Sequence, residues 1–252
     1  MASQDLWTAV VTGGAAGIGA ATVKKLASRG VNVLIADVQD ELGNKLAAEI
    51  KSSFGVDAAF RHVDVSKEEE VQAMIKMVVD KWGRLDYAAN VAGHFAVNQR
   101  GVWLCQKHEA AQMLKQEPRT VELSPKPSLA INPQRGAIVN VGSTTAVTGM
   151  GFPAYAPTKA AVLEITRNGA FFYSPRGIRC NAICPGGTVT DMSAANSTSA
   201  DREAYNKPIA LKVMACPEEQ ASVISFLLSP ESSHVTGNVI MVDGGFSSTM
   251  SG

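Results

Sequence analysis

Short apolar runs recur along the chain, and stretches of helical periodicity lie between them. Residues 6–12 (Leu-Trp-Thr-Ala-Val-Val-Thr) form the first run and enter a glycine-rich turn, Gly13-Gly14-Ala15-Ala16-Gly17-Ile18-Gly19. A helix is predicted over 20–29, with Gly30 as its stop. A second strand over 31–36 ends in Asp37. It is followed by a helix over 40–53 and a third strand over 58–65. Ser66-Lys67-Glu68-Glu69 reads as a capping box opening a helix to Trp82. A fourth strand, 85–89, runs into Asn90-Val91-Ala92-Gly93, and a fifth, 137–141, ends in Gly142-Ser143. The next helix carries Tyr155 and Lys159, continues through the apolar-rich stretch 160–165 and ends near 174–177. Strand 179–184 runs into Pro185-Gly186, Pro217 opens a helix to Leu228, and strand 239–243 ends in Gly244-Gly245. Strands alternating with helices predict an α/β fold, a doubly wound parallel sheet of about seven strands in one domain spanning residues 1–252.

Two stretches break the alternation. Residues 115–135 are rich in proline and charge, the composition of an exposed loop without regular structure. The loop precedes a parallel strand, so it is expected at the edge of the sheet opposite that strand's carboxyl end. Residues 191–214 mix small and polar side chains with weak periodicity, which suits a mobile lid over a substrate.

Composition narrows the function classes. Lys and Arg total 23, as do Asp and Glu, so the balanced charge gives no reason to expect nucleic acid or an anionic membrane as partner. No apolar run reaches the roughly 18 residues of a membrane span. The opening Met1-Ala2-Ser3-Gln4-Asp5 lacks the charged-then-apolar layout of a signal peptide, so a cytoplasmic location is expected. Cys105, Cys180, Cys184 and Cys216 show no Cys-x-x-Cys spacing; they are expected to be reduced and buried, and no metal site is expected. The sequon at Asn196-Ser197-Thr198 is expected to be idle without a secretory route.

The candidate chemistry lies in three places. In the first, a strand, a glycine turn and a helix let backbone N–H groups and the helix amino end face a pyrophosphate, with glycines where side chains would hold the phosphates off. In the second, Asp37 stands close to 20 residues beyond that turn, where an acid accepts hydrogen bonds from the adenosine ribose hydroxyls and repels a 2′-phosphate. With no Lys or Arg beside it, NAD is favoured over NADP. In the third, Tyr155 and Lys159 are four apart and so share a helix face. A nearby ammonium favours the phenolate; moving a phenol from about 10 to about 7 takes roughly 4 kcal/mol at about 1.36 kcal/mol per unit. Ser143, at the end of the fifth strand, brings a hydroxyl to the carboxyl edge of the sheet, where open α/β sheets bind ligands.

These residues together resemble the Ser, Tyr and Lys of the short-chain dehydrogenase/reductase family. The resemblance covers essentially the whole chain. The turn, carried by Thr12, Gly13, Gly17, Ile18 and Gly19, has that family's Thr-Gly-x-x-x-Gly-x-Gly form rather than Gly-x-Gly-x-x-Gly. Asp64-Val65 matches its adenine-contacting pair. Asn90-Val91-Ala92-Gly93 resembles its Asn-Asn-Ala-Gly, with Val91 in place of the second Asn. Pro185, Gly186, Thr188 and Thr190 match its nicotinamide-carboxamide contacts. Asn98 matches its fourth catalytic residue, which holds a relay water. Only His94, Phe95, Ala96 and Val97 precede Asn98, whereas the family has a longer loop and opening helical turns. His94 reads as a surface residue.

The resemblance implies a Rossmann-type fold with strand order 3-2-1-4-5-6-7 and reversible hydride transfer between a nicotinamide and a secondary alcohol or ketone. Tyr155 would pass the proton, Lys159 would lower its pKa and hold the nicotinamide ribose, Ser143 would bind the substrate oxygen, and Asn98 would link the relay to solvent. Phe95, Met150, Phe152, Met192 and Met214 point to an apolar small molecule. A homodimer or homotetramer through the Tyr155 helix and the helix after Asn98 is implied, weakened by the shortening. Two alternatives stay open: a nucleotide-binding protein with weakened or lost turnover, and an isomerase or dehydratase on the same scaffold.

Overall fold

Strand β1 (Thr8–Thr12) is buried at every position, as are β2 (Asn32–Asp37) and β5 (Gly136–Val141). A strand covered on both faces needs a continuous apolar run, and those runs supply it. Alternate residues divide between two cores. Ala9, Val11, Val33 and Ile35 point to one face of the sheet, and Val10, Leu34 and Ala36 to the other. The computed structural model describes residues 6–93, 98–120, 133–150, 153–190 and 199–249.

β3 (Ala58–His62), β4 (Tyr87–Asn90), β6 (Ile178–Pro185) and β7 (Val239–Val242) complete a seven-stranded sheet of order β3-β2-β1-β4-β5-β6-β7. Every neighbouring pair is parallel, as the sequence leads one to expect. The intervening helices are α1 (Gly17–Ala27), α2 (Asp40–Phe54), α3 (Glu68–Trp82), α4 (Arg100–Met113), the short α5 (Thr145–Thr148), α6 (Tyr155–Tyr173), α7 (Ser199–Asn206), α8 (Pro217–Leu228) and the short α9 (Phe246–Thr249). α1, α2 and α8 cover one face, and α3, α4 and α6 the other. From β1 the chain goes outward through β2 and β3, then returns to β4 on the far side of β1. This reversal opens a crevice outside the carboxyl ends of β1 and β4, which positions the site.

Several expectations are corrected. β3 stops at His62; the next residues still touch the sheet, as Val63 N–H donates to the Asp37 carbonyl, but they turn towards α3. Ser66 does not cap α3. Its hydroxyl donates to Asp64 Oδ1 at 2.7 Å, Lys67 is the cap residue, and the carboxylate that reaches back is that of Glu70, accepting from Asp64 N–H at 2.7 Å. Cys216 is exposed whereas Cys105, Cys180 and Cys184 are buried, because it sits at the amino end of α8, where its side chain takes part in the capping box with Glu219. Apart from these corrections, the stretch 191–214 expected as a mobile lid includes the helix α7, and residues 191–198 lie outside the described residues. The ends of the 115–135 loop are clamped at the edge opposite the crevice by paired backbone hydrogen bonds between Arg119 and Gln134, 2.7 and 3.0 Å long. Its centre, 121–132, also lies outside the described residues.

Candidate active site

The crevice holds a groove of about 600 Å³. Gly13, Gly17, Ile18 and Gly19 form one wall, with Asp37, Asp64 and Val65 towards one end and Ala92, Gly93 and Thr190 along the other side. Glycine is required by geometry here. Gly13 and Gly17 have φ of +65° and +50°, and a Cβ on Gly13 would lie 2.7 Å from the Ala92 backbone. A Cβ on Gly19 would lie 2.7 Å from the Gly13 carbonyl carbon, so the turn closes only without one. The first turn of α1, whose Gly17, Ile18 and Gly19 line the groove, has no side-chain cap, which leaves N–H groups there without an intrahelical partner. A cradle of backbone donors that any side chain would fill fits a dinucleotide pyrophosphate.

Asp37 is buried and fixed. Its Oδ2 accepts from Ala15 N–H at 3.0 Å, and its Oδ1 accepts from the N–H of Gln39 at 3.1 Å and from the Gln39 amide at 3.4 Å. Asp64 is held by Ser66, whose hydroxyl and N–H both donate to Oδ1 and keep its carboxyl below the usual range. Thr12 is buried beneath the groove, and its hydroxyl accepts from Ala92 N–H at 3.4 Å. Val91 lines the groove and packs against the core on the α1 side, an apolar solution where the family pattern has an amide. Asn90 is not in the groove. It lies buried behind it, its amide donating to Glu109 at 3.0 Å and to Asn140 at 2.9 Å.

Ser143, at the end of β5, accepts from the hydroxyl and N–H of Thr145 at 3.0 and 3.3 Å. The Tyr155 phenol, half-buried at the start of α6, is near enough to the Ser143 side chain for that hydroxyl to lower its pKa. One turn on, Lys159 is 3% exposed, with Nζ 5.8 Å from the Tyr155 ring centre and donating to the Val141 carbonyl at 2.9 Å. Asn98 is fully buried and donates to the Thr158 hydroxyl at 3.2 Å; its Oδ1 has no hydrogen-bond partner. Asn98 Oδ1 and Lys159 Nζ converge on Gly93: a Cβ there would lie 3.0 Å from one and 3.1 Å from the other. The structure therefore gathers all four residues at the carboxyl edge, beside the groove, despite the short segment before Asn98. Residues 94–97, with His94 and Phe95, lie outside the described residues, as do Phe152 and Met192.

The electrostatics differ from expectation. Burial raises the Tyr155 phenol, and the Ser143 side chain only partly offsets it. Burial instead pushes the Lys159 ammonium down to about 8. Both groups are desolvated, and desolvation favours the neutral form of each. One of the ammonium's three donors goes to the Val141 carbonyl, and Nζ stands 5.8 Å from the Tyr155 ring centre.

Pro185 and Gly186 leave β6 towards the same edge, where a Cβ on Gly186 would meet Asp243 at 2.7 Å. Thr188 donates to the Gly186 carbonyl at 3.2 Å, and the Thr190 methyl lies against Gly17. Sequence reading missed two neighbours. Gln39 lines the groove and steadies Asp37, which its place two residues further on could have signalled. Cys184 lies beside Gly142 and Ser143 inside the site, and nothing in its spacing marks it. Met150 is exposed, and Met214 lies against Gly187. Among the described residues no cluster of three or more His, Cys, Asp or Glu could hold a metal, and no helix is long and apolar enough to cross a membrane.

Residues 13–247 match a family model described as enoyl-(acyl carrier protein) reductase. The chain is 36% identical to the short-chain dehydrogenase/reductase aba4 of Botryotinia fuckeliana (strain B05.10), covering 98% of this chain and 99% of that one. It is 32% identical to (+)-borneol dehydrogenase 2 of Salvia officinalis, covering 96% and 89%. Among solved structures, levodione reductase superposes with a TM-score of 0.83 at 29% identity, covering 96% and 98%.

Proposed function

Because the chain belongs to the short-chain dehydrogenase/reductase family, we propose that it transfers hydride reversibly between NAD(H) and a secondary alcohol or ketone on an apolar small molecule. One observation carries this reading: Ser143, Tyr155, Lys159 and Asn98 meet beside a glycine-walled groove that fits a dinucleotide. A bound nicotinamide nucleotide would supply or accept the hydride.

The chain's own residues do the rest. Ser143 orients the substrate oxygen, and Tyr155 gives that oxygen a proton in ketone reduction or takes one in alcohol oxidation. Burial keeps the phenol neutral at pH 7, ready to act as the acid; oxidation must first remove its proton and is favoured as pH rises. Asp37, locked by three N–H donors, favours NAD over NADP by facing the ribose hydroxyls. Similarity to (+)-borneol dehydrogenase 2 supports an apolar alcohol as substrate. A screen of ketones and alcohols at the reduced-nicotinamide absorbance band tests the reading; absence of turnover on every class with either nucleotide would overturn it.

A second reading, a nucleotide binder with weakened turnover, is favoured by the bond from Lys159 to Val141 and by the unpartnered Asn98 Oδ1, which leave the relay open. We also propose a cytoplasmic homodimer or homotetramer through α4 and α6, where Trp103, Phe171 and Phe172 are exposed. The short lead-in to α4 would weaken that association.

A further inference from the structure

Behind the catalytic edge lies a chain of buried amides whose donors all run one way. Asn90 Nδ2 spends both hydrogens, on Glu109 Oε2 at 3.0 Å and Asn140 Oδ1 at 2.9 Å. Asn140 Nδ2 spends both of its own, on Gln106 Oε1 at 2.9 Å and the Thr166 hydroxyl at 3.0 Å. The Gln106 amide then donates to the Ile165 carbonyl at 3.0 Å, and Thr166 to the Val162 carbonyl at 2.8 Å. The network thus ties β4 and β5 to α4 and α6. None of its five side chains is more than 4% exposed.

Two atoms are left over at one end, Asn90 Oδ1 and Glu109 Oε1, both buried without a partner. They belong to the two groups already joined by the Asn90–Glu109 bond. With a proton on Glu109 Oε1 they become acceptor and donor, and an acid and an amide close a ring of two hydrogen bonds. With a carboxylate instead, Asn90 Oδ1 has no donor and a buried charge has one N–H for company, the arrangement that interiors avoid.

The position of the network gives it a use. Asn90 immediately precedes residues 91–93, which wall the groove, and Asn140 immediately precedes Val141, whose carbonyl holds Lys159. We propose that Glu109 is a positioning residue that works as a neutral carboxylic acid: ringed with the Asn90 amide, it fixes the ends of β4 and β5 beneath the cofactor and Lys159, and loss of its proton releases them. Burial pushes the Glu109 carboxyl up to about 8, in keeping with the geometry. The titratable groups that face it are the thiols of Cys105 on α4 and Cys180 on β6, both also raised by burial. α3 and α6 bring Met74, Val78 and Ala170 to the surrounding apolar cluster.

The experiment compares the full chain with Glu109→Gln, whose amide can close the same ring without titrating. Infrared difference spectra at pH 7 should show a protonated-carboxyl band in the parent that the variant lacks; no such band overturns the proposal. Because the folded pKa of Glu109 is raised, its contribution to stability is full below the unfolded value of 4.5 and is lost as pH rises through about 8. The parent's folding equilibrium should therefore fall relative to the variant by up to about tenfold per pH unit across that window; parallel unfolding curves would overturn it. A third arm rests on the NAD-binding reading, which the first two do not need. Parent NAD affinity should drop above pH about 8 more steeply than that of Glu109→Gln, which keeps only the Lys159 titration in that range, and Glu109→Met should bind more weakly at every pH. Identical pH profiles in parent and Glu109→Gln would reduce Glu109 to a packing residue.

Discussion

The groove proposed for the cofactor and the corner proposed for catalysis lie side by side on one sheet edge and are built in opposite ways. In the groove the polar atoms that matter are fixed: three N–H donors hold Asp37, Ser66 holds Asp64, and the glycine turn admits one backbone path. In the corner, Tyr155 and Lys159 are both pushed towards their neutral forms, Lys159 is held by a strand carbonyl, and Asn98 keeps an unused acceptor. A binding surface gains from being rigid before its ligand arrives. Proton-transfer groups need a pKa that leaves them able to change state near working pH; burial brings Lys159 towards that range but moves Tyr155 further from it.

The strongest way to break the contrast is Tyr155→Phe. It removes one hydroxyl from the corner and nothing from the groove, so turnover should fall by about 10²–10⁴-fold while NAD affinity stays within about twofold. Parallel loss of both in steady-state rates and calorimetric titration would mean that the two regions are not separable.

Next comes Lys159→Met. The folded chain holds this proton less tightly than the unfolded one, with the pKa pushed from 10.5 down to about 8. Between those values the unfolded state binds more protons, so this group makes stability rise with pH; below the window it imposes a constant cost of roughly 3 kcal/mol. Lys159→Met should thus lose turnover and weaken NAD binding, yet unfold at a higher temperature at pH 7. A lower unfolding temperature there would show that the ammonium stabilises the fold.

Gly19→Ala probes the other side of the contrast. The added Cβ meets the Gly13 backbone, and overpacking of this kind costs roughly 1–3 kcal/mol. NAD affinity should fall roughly 30-fold, about 2 kcal/mol, with turnover at saturating NAD nearly unchanged. Unaltered affinity would mean that the turn does not cradle the phosphates.

The two regions also differ in how legible they are in the sequence. The groove is a local object: the glycine turn, Asp37 and the flanking strands fall within 30 residues, so spacing alone places them. The alternation of apolar runs and helical stretches pointed only to a parallel, doubly wound sheet; the strand order itself was implied by the resemblance to the short-chain dehydrogenase/reductase family. The corner converges from afar. That Lys159 would turn to Val141, and that Cys184 would lie against Ser143, depends on packing between β5, β6 and α6 that no local pattern records. The expected lowering of the Tyr155 pKa assumed an ammonium free to face the phenol. The capping box at Ser66 failed for a similar reason: Asp64 competes for the serine hydroxyl, and Glu70 takes over the reach back. Glu109 reads as one more surface acid on a helix until its burial is known.

The central claim is that the groove is a finished NAD site whatever the corner can achieve. Calorimetric titration of the chain with NAD and with NADP, without substrate, tests it most directly. The account predicts that NAD binds at least about tenfold more tightly, about 1.4 kcal/mol, and that Asp37→Ala narrows the gap. Equal or tighter binding of NADP, or no binding of either nucleotide, would contradict it.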